Sequence, residues 1–296
     1  MEADSVSGGA REDWLQQQLA NNTPEAVWAA PTVYRDDLLA GQTVVVSGGG
    51  SGIGRAVALL CARLGAHVVI CGRTQEKLDA VTAFARERGA PMHAYSVNVR
   101  DAEAVDALFS RITDEVGMPD IVINNAGGQF AADAIDFSPN GWNAVIQNNL
   151  NGTWFMMQRA ARGWRDADRG GVIVNVVVVT DRGMPGVAHT VAARAGIIGA
   201  SSTVAVEWAP LGIRVNCIAP GLTATEGLLV YPPEGQREFP RANPMKRPGT
   251  PMEIAESCVY LAAPSAQFVT GEVLTVDGGG RLWGELWTNG RPDWYG

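Results

Sequence analysis

A glycine-rich stretch stands between a short apolar run and a longer pattern of spaced apolar residues. The β-branched run Thr43–Val46 predicts a strand, and the helical spacing of apolar residues from Ile53 to Leu64 predicts a helix. Between them lies the stretch Ser47–Gly54, in which three glycines have the spacing G-x-x-x-G-x-G. Such glycines let the backbone turn tightly and approach a pyrophosphate, whose charge the N-terminus of the following helix stabilises. The strand–loop–helix order therefore predicts a dinucleotide site, with a plain turn as the alternative.

The end of the next predicted strand indicates which dinucleotide is bound. Dehydrogenases that use NAD usually place Asp or Glu at this point, where the carboxylate binds the adenosine ribose hydroxyls. This chain instead has Cys71-Gly72-Arg73 after the strand Val68–Ile70. Because a guanidinium can make two parallel hydrogen bonds to a 2′-phosphate, NADP(H) is favoured over NAD(H). The alternative is that Arg73 is an ordinary solvated residue at the start of a helix.

Strands and helices alternate along the rest of the chain. Further strands are predicted near 94–97 and at 121–123, 172–179 and 214–218, and helices over 75–88, 103–116, 141–162 and 189–208. Strands that are apolar on both faces and joined by helices indicate a parallel sheet covered on both sides. The predicted fold class is therefore α/β: a single doubly wound (Rossmann) parallel sheet with helices on both faces.

The chain divides unevenly around this alternation. The first forty residues are polar and form an extension that is laid over the core or partly disordered. Residues 11–20 within it are a candidate short helix, which Pro24 and Pro31 keep from going further. The predicted division is an N-terminal extension at 1–40 and one domain at 41–296, with a substrate-side insert at 222–250 and a C-terminal tail at 281–296.

Composition excludes several classes of protein. With 46% hydrophobic and 18% charged residues and a mean hydropathy of +0.00, the chain has enough apolar material for a folded core. Its net charge of −8 and pI near 5.0 argue against a nucleic-acid partner, which requires clustered basic residues. No apolar run reaches the roughly 18 to 20 residues of a membrane helix, and the N-terminus lacks the basic start of a signal peptide. Four cysteines without pairing or metal spacing indicate reduced core residues, no metal site and a cytoplasmic location.

Several motifs resemble those of one enzyme family, in the order that the family has them. The chain resembles the short-chain dehydrogenase/reductases over nearly all of residues 40–280. The motifs that carry this resemblance are the glycine-rich loop, Asn124–Gly127, Asn149–Thr153, Arg214–Gly221 and the segment from Thr270-Gly271 through Val276–Gly279. The resemblance implies a nicotinamide cofactor, the Rossmann fold and assembly into a homotetramer or homodimer.

The usual catalytic pair of that family is absent from this chain. Family members generally reduce carbonyls with a Tyr-x-x-x-Lys pair, in which the phenol gives a proton to the developing alkoxide and the ammonium lowers the pKa of the phenol. The only lysines are Lys77 and Lys246, and neither follows a tyrosine at this spacing. The resemblance aligns the tyrosine position with Thr190 and the lysine position with Arg194. Since a threonine hydroxyl is far too weak an acid to replace a phenol, ordinary ketone–alcohol chemistry is not expected.

A narrower resemblance points to enzymes that reduce carbon–carbon double bonds. The segments Asn125–Phe130, Gly141–Val145, Val176–Thr180, His189–Gly196 and Glu207–Ala209 are similar to those of enoyl-CoA and 2,4-dienoyl-CoA reductases, and most similar to those of peroxisomal-type trans-2-enoyl-CoA reductases. In the peroxisomal type an Ala-Ala-Arg-Ala-Gly stretch also replaces the usual lysine. The tyrosines that these enzymes use as proton donors would fall on Ile198 and Thr180, so the resemblance assigns no residue to the protonation step.

The candidate catalytic residues suit a substrate that passes through an enolate, whose oxygen needs hydrogen-bond donors rather than a strong acid. They are Asn149, Thr180, Thr190 and Arg194, with Gln129 lining the pocket. Arg194 cannot act as a general acid because a guanidinium stays protonated, but it can hold the ribose hydroxyls. A helix cap is the alternative for Thr190, and a surface position the alternative for Arg194. The candidate cofactor-binding residues are Ser47, Gly48, Ser51, Gly52, Ile53, Gly54, Arg73, Asn98, Val99, Asn125, Ala126, Gly127, Arg194, Pro220, Gly221 and Thr223.

Other chemically capable residues keep two interpretations each. His189 has an unperturbed pKa of about 6.5 that suits proton transfer, or it is a polar residue at a helix start. The pair Asp181-Arg182 is a turn ion pair or meets the substrate. The basic residues of the insert neutralise acyl-CoA phosphates or are solvated, and the tryptophans of the tail pack at a subunit contact or bind ligand. These residues are Arg237, Arg241, Lys246, Arg247, Trp283, Trp287 and Trp294.

Three functions are compatible with these features. The favoured one is an NADPH-dependent oxidoreductase that reduces an activated C=C bond in an enoyl-CoA or enone-type substrate by hydride transfer. The second is a catalytically silent NADP-binding homologue that acts as a partner subunit, and the third is an atypical reductase of a specialised biosynthetic pathway. The expected partner is a small-molecule substrate, with acyl-CoA as the candidate, and neither nucleic acid nor a membrane is expected.

Overall fold

Seven parallel strands form the centre of the protein. The computed structural model describes residues 19–20, 22–231, 236 and 239–282. Its strands are β1 (Thr43–Ser47), β2 (His67–Gly72), β3 (Met92–Ser96), β4 (Ile121–Asn124), β5 (Gly171–Val176), β6 (Ile213–Pro220) and β7 (Val273–Val276). They pair in parallel in the order β3-β2-β1-β4-β5-β6-β7.

Helices cover both faces of this sheet. They are α1 (Pro24–Ala29), α2 (Gly52–Arg63), α3 (Gln75–Arg86), α4 (Ala102–Glu115), α5 (Pro139–Ile146), α6 (Gly152–Asp166), α7 (Ala188–Trp208) and α8 (Pro251–Ala262). Successive strand residues point to opposite faces, so Val44 and Val46 pack with α2 and α8, whereas Val45 packs with α4 and α6. The predicted doubly wound α/β class is therefore confirmed.

β5 is shorter than the apolar run that predicted it. The run extends to residue 179, but the strand ends at Val176, whose partner in the sheet is Ile218. The valines that follow line a cavity at the edge of the sheet. The prediction of a strand over 172–179 is thus wrong at its end, because the last apolar residues of the run form part of a cavity wall and do not belong to the strand.

The segment predicted as one regular helix over 141–162 contains a wider turn. α5 begins before Gly141, since the Ser138 hydroxyl accepts a hydrogen bond from the Gly141 N–H at 3.0 Å and Pro139 fits the first turn. A π-helical segment, Gln147–Asn151, then separates α5 from α6. Such turns are rare and frequently lie at functional sites. The prediction is therefore wrong at its start and in its middle.

Two prolines begin helices. Pro24 opens α1, where Thr23 caps the Ala26 N–H at 3.2 Å. Pro251 opens α8. There Thr250 Oγ1 accepts from the Glu253 N–H at 3.2 Å and the Glu253 carboxylate accepts from the Thr250 N–H at 2.7 Å, which is a complete capping box.

Residues 22–40 of the extension pack against the domain. Val27 and Leu39 are buried in the same apolar cluster as α2. Arg63 on α2 donates to the Trp28 carbonyl at 2.7 Å. The extension was predicted to be either laid over the core or partly disordered, and the first interpretation applies to residues 22–40.

Some sequence predictions fall outside the described residues. They are the candidate helix at 11–20, apart from residues 19 and 20, which are helical, together with Arg237 and the tail tryptophans Trp283, Trp287 and Trp294. The four cysteines are described, and all are buried and free, as expected for core residues. Across the described ranges, none of the helices combines the length and apolar character needed to cross a bilayer.

Candidate active site

The site lies where the sheet changes the direction in which its connections run. β1 is followed by β2 on one side, while β4 lies on its other side. At such a switch point the loops after the two strands separate and leave a crevice at the carboxyl ends of the strands. The last paired residues here are Ser47 of β1 and Asn124 of β4. The loops that follow these two residues therefore border the crevice.

The loop after β1 has a backbone that can receive a phosphate. Gly48 adopts φ +70°, and a Cβ atom on it would lie 2.8 Å from Asn125 Nδ2, so a side chain is excluded there. The Ser51 side chain makes no capping bond at the start of α2. The N–H groups of the first turn of α2 are thereby open to an anion.

Hydrogen bonds fix the loops after β1 and β4 to each other. Ser47 Oγ accepts from the N–H groups of Asn125, at 3.1 Å, and Ala126, at 3.0 Å. In return Asn125 Nδ2 donates to the Ser47 carbonyl at 3.2 Å. Ser47 is buried, so its hydroxyl serves these loops rather than a ligand.

Two cavities occupy the crevice. The smaller, of about 250 Å³, lies on the β2 side and its wall includes Arg73 and Lys77. The larger, of about 760 Å³, lies over β5 and β6. Asn125 and Gly127 line both cavities, so the two adjoin at these residues. The two cavities together are called the trough.

Arg194 lies at the base of the larger cavity and is 6% exposed. Its Nη2 donates to the Ala126 carbonyl at 3.2 Å, and its buried Nη1 has no hydrogen-bond partner among the described residues. Burial lowers the pKa of Arg194 to about 10, so the side chain remains charged at neutral pH. The alternative of a surface position for Arg194 is therefore wrong.

Gly127 passes directly over this guanidinium. A Cβ atom on Gly127 would collide with Arg194 Nη2. A substitution at the next residue, Gly128, would meet nothing closer than Asn148 Nδ2 at 3.7 Å. The glycine at 127 is therefore required by the close approach of the loop to Arg194.

Asn149 holds the same loop from the other side. Its Nδ2 donates to the Gly128 carbonyl at 2.9 Å, and its Oδ1 accepts from the Gly128 N–H at 3.0 Å and from Asn148 Nδ2 at 3.1 Å. Both asparagines are buried and belong to the π-helical segment. The wider turn thus contains the residue that binds both backbone groups of Gly128.

Thr190 lines the larger cavity and is buried, whereas its neighbour His189 does not line it. The N-cap of α7 is Val187, so the helix-cap alternative for Thr190 is wrong. Thr190 Oγ1 lies 3.3 Å from His189 Nδ1, which also accepts the Thr190 N–H at 2.7 Å. The imidazole stacks on the ring of Phe137 and meets the ring of Phe130 edge-to-face, each with its centroid 4.5 Å away. Burial lowers the pKa of His189, against the opposing effect of the backbone groups of Val187 and Phe130, so the imidazole is neutral at pH 7.

The trough is locally basic within an acidic protein. Among the described residues, the charged side chains in its walls are five basic ones and one acidic one. They are Arg73, Lys77, Arg182, Arg194, Arg281 and Asp277. The whole chain carries a net charge of −8, so the trough differs in sign of charge from the protein as a whole. It favours ligands that carry phosphate or that develop negative charge.

Most of the predicted site residues meet in the trough. Those that line it are Gly48, Ser51, Ile53, Arg73, Val99, Asn125, Ala126, Gly127, Asn149, Thr190, Arg194, Pro220, Gly221 and Thr223, together with Gln129. Those that do not are Ser47, Gly52, Gly54, Asn98 and Thr180. Asn98 is exposed and its Oδ1 accepts the Arg100 N–H at 3.3 Å. The flanking valines of Thr180 are in the wall, but Thr180 itself is not.

Lys77 and Tyr231 are among the trough residues that were not singled out from the sequence. Lys77 lies in the first turn of α3 and lines the smaller cavity together with Arg73, which precedes that helix. Tyr231 lines the larger cavity from the insert, where no periodic pattern indicates the path of the chain. Its hydroxyl accepts a hydrogen bond from Gln129 Nε2 at 2.6 Å.

The remaining charged candidates have other contacts. Asp181 pairs with Arg281, at 3.4 Å, and Arg182 donates to the Gly280 carbonyl. Arg247 pairs with Glu253 at 2.6 Å. Arg241 and Lys246 are exposed and, like Arg247, do not line the trough.

Comparisons with known proteins agree with this architecture. A profile of the family described as enoyl-(acyl carrier protein) reductase matches residues 48–280. The chain is 37% identical over 256 residues to a probable 2,4-dienoyl-CoA reductase, (2E)-enoyl-CoA-producing, of Bacillus subtilis (strain 168), covering 85% of this chain and 98% of that protein. It is 35% identical over 246 residues to a 3-oxoacyl-(acyl-carrier-protein) reductase of Chlamydia muridarum (strain MoPn / Nigg), covering 82% of this chain and 99% of that protein.

A solved structure has the same arrangement of strands and helices. It is the citronellol catabolism dehydrogenase of Pseudomonas aeruginosa PAO1, with a TM-score of 0.77 and 36% sequence identity. The match covers 85% of this chain and 100% of the chain of that dehydrogenase. The similarity therefore extends over the complete sheet and its helices.

The first prediction concerns the approach of the loop to Arg194. Gly127→Ala places a methyl group against the guanidinium, so Arg194 must move. We therefore expect the affinity for NADPH, measured by fluorescence titration, to fall about tenfold or more. Gly128→Ala is the matched control and should bind NADPH as the wild type does, because its methyl group makes only ordinary contacts. Equal binding by both variants would contradict the contact described above.

The second prediction concerns His189. Because its folded-state pKa is lowered, the unfolded chain takes up a proton first as pH falls below about 6.5, and the folded state loses stability there. His189→Leu lacks this titration. The free energy of unfolding is measured by urea denaturation. As the pH is lowered from about 7.5 to about 5.5, it should decrease more for the wild type than for His189→Leu. A difference that does not change with pH would show that His189 titrates normally.

Proposed function

This chain belongs to the short-chain dehydrogenase/reductase family, and on that premise we propose that it is an NADPH-dependent enzyme that reduces an activated C=C bond in an enoyl-CoA or enone-type substrate. The observation that carries the proposal is Arg194. Its side chain is a buried cation in the wall of a large apolar cavity, and its buried nitrogen Nη1 has no partner among the described residues. A fixed charge in such a place stabilises an anion that forms during the reaction.

The absence of a Tyr-x-x-x-Lys pair favours an alkene over a ketone as the reducible group. Hydride addition to a ketone gives an alkoxide, a strong base that needs a proton on the same oxygen as it forms. Hydride addition to the β-carbon of an unsaturated thioester gives an enolate, whose charge is spread onto the thioester oxygen. That oxygen needs only a nearby cation and hydrogen-bond donors, which this site can supply.

The residues of the trough fit a phosphorylated dinucleotide. The loop at Gly48 and the open first turn of α2 would hold the pyrophosphate, and Arg73 with Lys77 would hold a 2′-phosphate. The orphaned Nη1 of Arg194 would take up a ribose hydroxyl. Bound NADPH would supply the hydride.

The chain's own residues orient the substrate. The wall of the larger cavity includes Val177, Val179, Met184, Leu222 and Leu228, which suit an acyl chain. The charge of Arg194 below the reacting carbons stabilises the enolate oxygen, while the α-carbon takes its proton afterwards from water. Neither step requires a titrating side chain at neutral pH.

Two relatives bear on the choice between C=C and C=O reduction. One is described as a 2,4-dienoyl-CoA reductase and the other as a 3-oxoacyl reductase, and the chain resembles both at similar identity. The positions Thr190 and Arg194, in place of a phenol and an ammonium, favour the first. We therefore propose an enoyl thioester as the substrate class.

The third prediction is turnover of an enoyl thioester. When the purified protein is incubated with NADPH and a medium-chain trans-2-enoyl-CoA, it should oxidise NADPH over many turnovers. The loss of NADPH absorbance measures this reaction. Arg194→Ala should lower kcat/KM about 100-fold, because a buried cation that faces the forming charge is lost, whereas Arg194→Lys should recover part of the loss. Arg162→Ala, at an exposed position of α6, is the matched control and should leave the rate unchanged.

Two outcomes would contradict this proposal. Tight binding of NADPH without turnover of enoyl-CoA, 3-oxoacyl-CoA or a simple ketone would favour the silent partner subunit. Ready interconversion of a simple secondary alcohol and its ketone would favour ordinary carbonyl chemistry.

The fourth prediction concerns the choice of cofactor. Arg73→Ala and Lys77→Ala should each weaken NADPH binding about tenfold and leave NADH binding unchanged, because each removes a charge-assisted contact to the 2′-phosphate alone. Lys246→Ala, which changes an exposed lysine outside the trough, is the control. If both substitutions weakened the binding of NADH and of NADPH equally, Arg73 and Lys77 would not bind the 2′-phosphate.

A further inference from the structure

Tyr231 comes from the insert and enters the wall of the larger cavity. It follows the 3-10 segment Glu226–Val230, and its N–H donates to the Leu228 carbonyl at 3.2 Å. Its own carbonyl accepts from Gln236 Nε2 at 2.7 Å. The ring packs edge-to-face on Phe239, with centroids 5.7 Å apart. The backbone and the ring of this tyrosine are therefore both held in place.

The hydrogen bond with Gln129 decides where the phenolic proton points. Gln129 Nε2 donates to Tyr231 Oη at 2.6 Å, so the hydroxyl oxygen is the acceptor. A hydroxyl has one proton, which must be directed elsewhere. Among the described residues, none accepts it. Since Tyr231 and Gln129 both line the larger cavity, the proton is available to a ligand there.

The phenol keeps its proton at neutral pH. Burial raises the pKa of Tyr231, against the smaller lowering effect of the Gln129 amide. A neutral phenol with an oriented proton is a hydrogen-bond donor, and it stabilises an oxyanion without ionising.

The other candidate donors are less well placed. Asn149 Nδ2 already donates to the Gly128 carbonyl, and its Oδ1 accepts from two N–H groups. The Thr190 hydroxyl lies 3.3 Å from His189 Nδ1, an acceptor that competes for its proton. Thr180 does not line the larger cavity. Tyr231 lines that cavity, and its proton has no acceptor among the described residues.

We propose that Tyr231 Oη donates the hydrogen bond that holds the substrate's carbonyl oxygen, and that Gln129 is a positioning residue that orients this donor. The inference rests on the proposed enoyl reduction and names a donor for it. In that reaction NADPH would give its hydride to the β-carbon and leave as NADP⁺. The electron pair of the C=C bond then forms a double bond between the α-carbon and the carbonyl carbon, and the carbonyl π pair moves onto the oxygen. Water later protonates the α-carbon as the carbonyl re-forms, which leaves hydroxide. Tyr231 keeps its own proton throughout.

The fifth prediction tests this donor in the full-length enzyme. With NADPH and a trans-2-enoyl-CoA, Tyr231→Phe should lower kcat about 100-fold, as loss of an oxyanion donor does, while the dissociation constant of NADPH and the melting temperature stay within error of wild type. The ring and its contact with Phe239 are preserved in this variant. Tyr260→Phe, which removes a partly exposed hydroxyl on α8 outside the trough, is the matched control and should keep the wild-type kcat.

A second variant separates positioning from a merely structural role. Gln129→Leu leaves the phenol without a fixed orientation, so we expect kcat to fall about tenfold in the wild-type background. In the Tyr231→Phe background the same change should have no further effect, because there is no proton left to orient. Additive losses would overturn the role of Gln129.

The outcomes distinguish this inference from the function on which it rests. Wild-type turnover of enoyl-CoA with an equally active Tyr231→Phe variant would overturn the role of Tyr231 and leave the proposed function intact. Absence of turnover by the wild type would overturn both.

Discussion

The guanidinium of Arg194 is taken out of water beneath the loop that follows β4, and the surrounding chain is arranged around that burial. Removing a charge from water is unfavourable unless hydrogen bonds replace those lost, and here the Ala126 carbonyl supplies one of them. To bring that carbonyl close, the loop passes so near that Gly127 has no room for a side chain, and Asn149 binds both backbone groups of Gly128. One buried cation thus explains the glycine, the asparagine and the shape of the loop.

The sequence predicted the features that depend on short stretches of chain. The strand–loop–helix at Ser47–Gly54 and the parallel sheet follow from periodicity and from the glycine spacing, because a strand or a phosphate loop is specified by neighbouring residues. The end of β5 and the π-helical turn at Gln147–Asn151 were not predicted from the sequence. The reason is that an apolar run or a helical pattern has the same appearance whether its residues fill a core or line a cavity. α8 could have been predicted, because the Thr250–Glu253 capping box and the proline between them are legible signals.

The site was harder to predict than the fold because burial decides what a side chain can do. His189 and Thr190 are neighbours in the chain, yet the imidazole packs against two phenylalanine rings and only the threonine reaches the cavity. Nothing in their sequence separates them, since adjacent helical residues point about 100° apart and the orientation of α7 is set by packing. Tyr231 is a sharper case, because its position depends on the path of an insert without periodicity.

A fixed cation alone does not choose between an alkoxide and an enolate, because it lowers the energy of any nearby anion. The choice comes from where the proton must arrive. An alkoxide requires its proton on the atom that carries the charge and at the moment of hydride transfer, which demands an acid of matched pKa. An enolate separates the two requirements, since charge gathers on oxygen while the proton is taken up on carbon. A trough with a buried arginine, a neutral histidine outside its wall and a tyrosine whose pKa is raised by burial satisfies the second set of requirements and not the first.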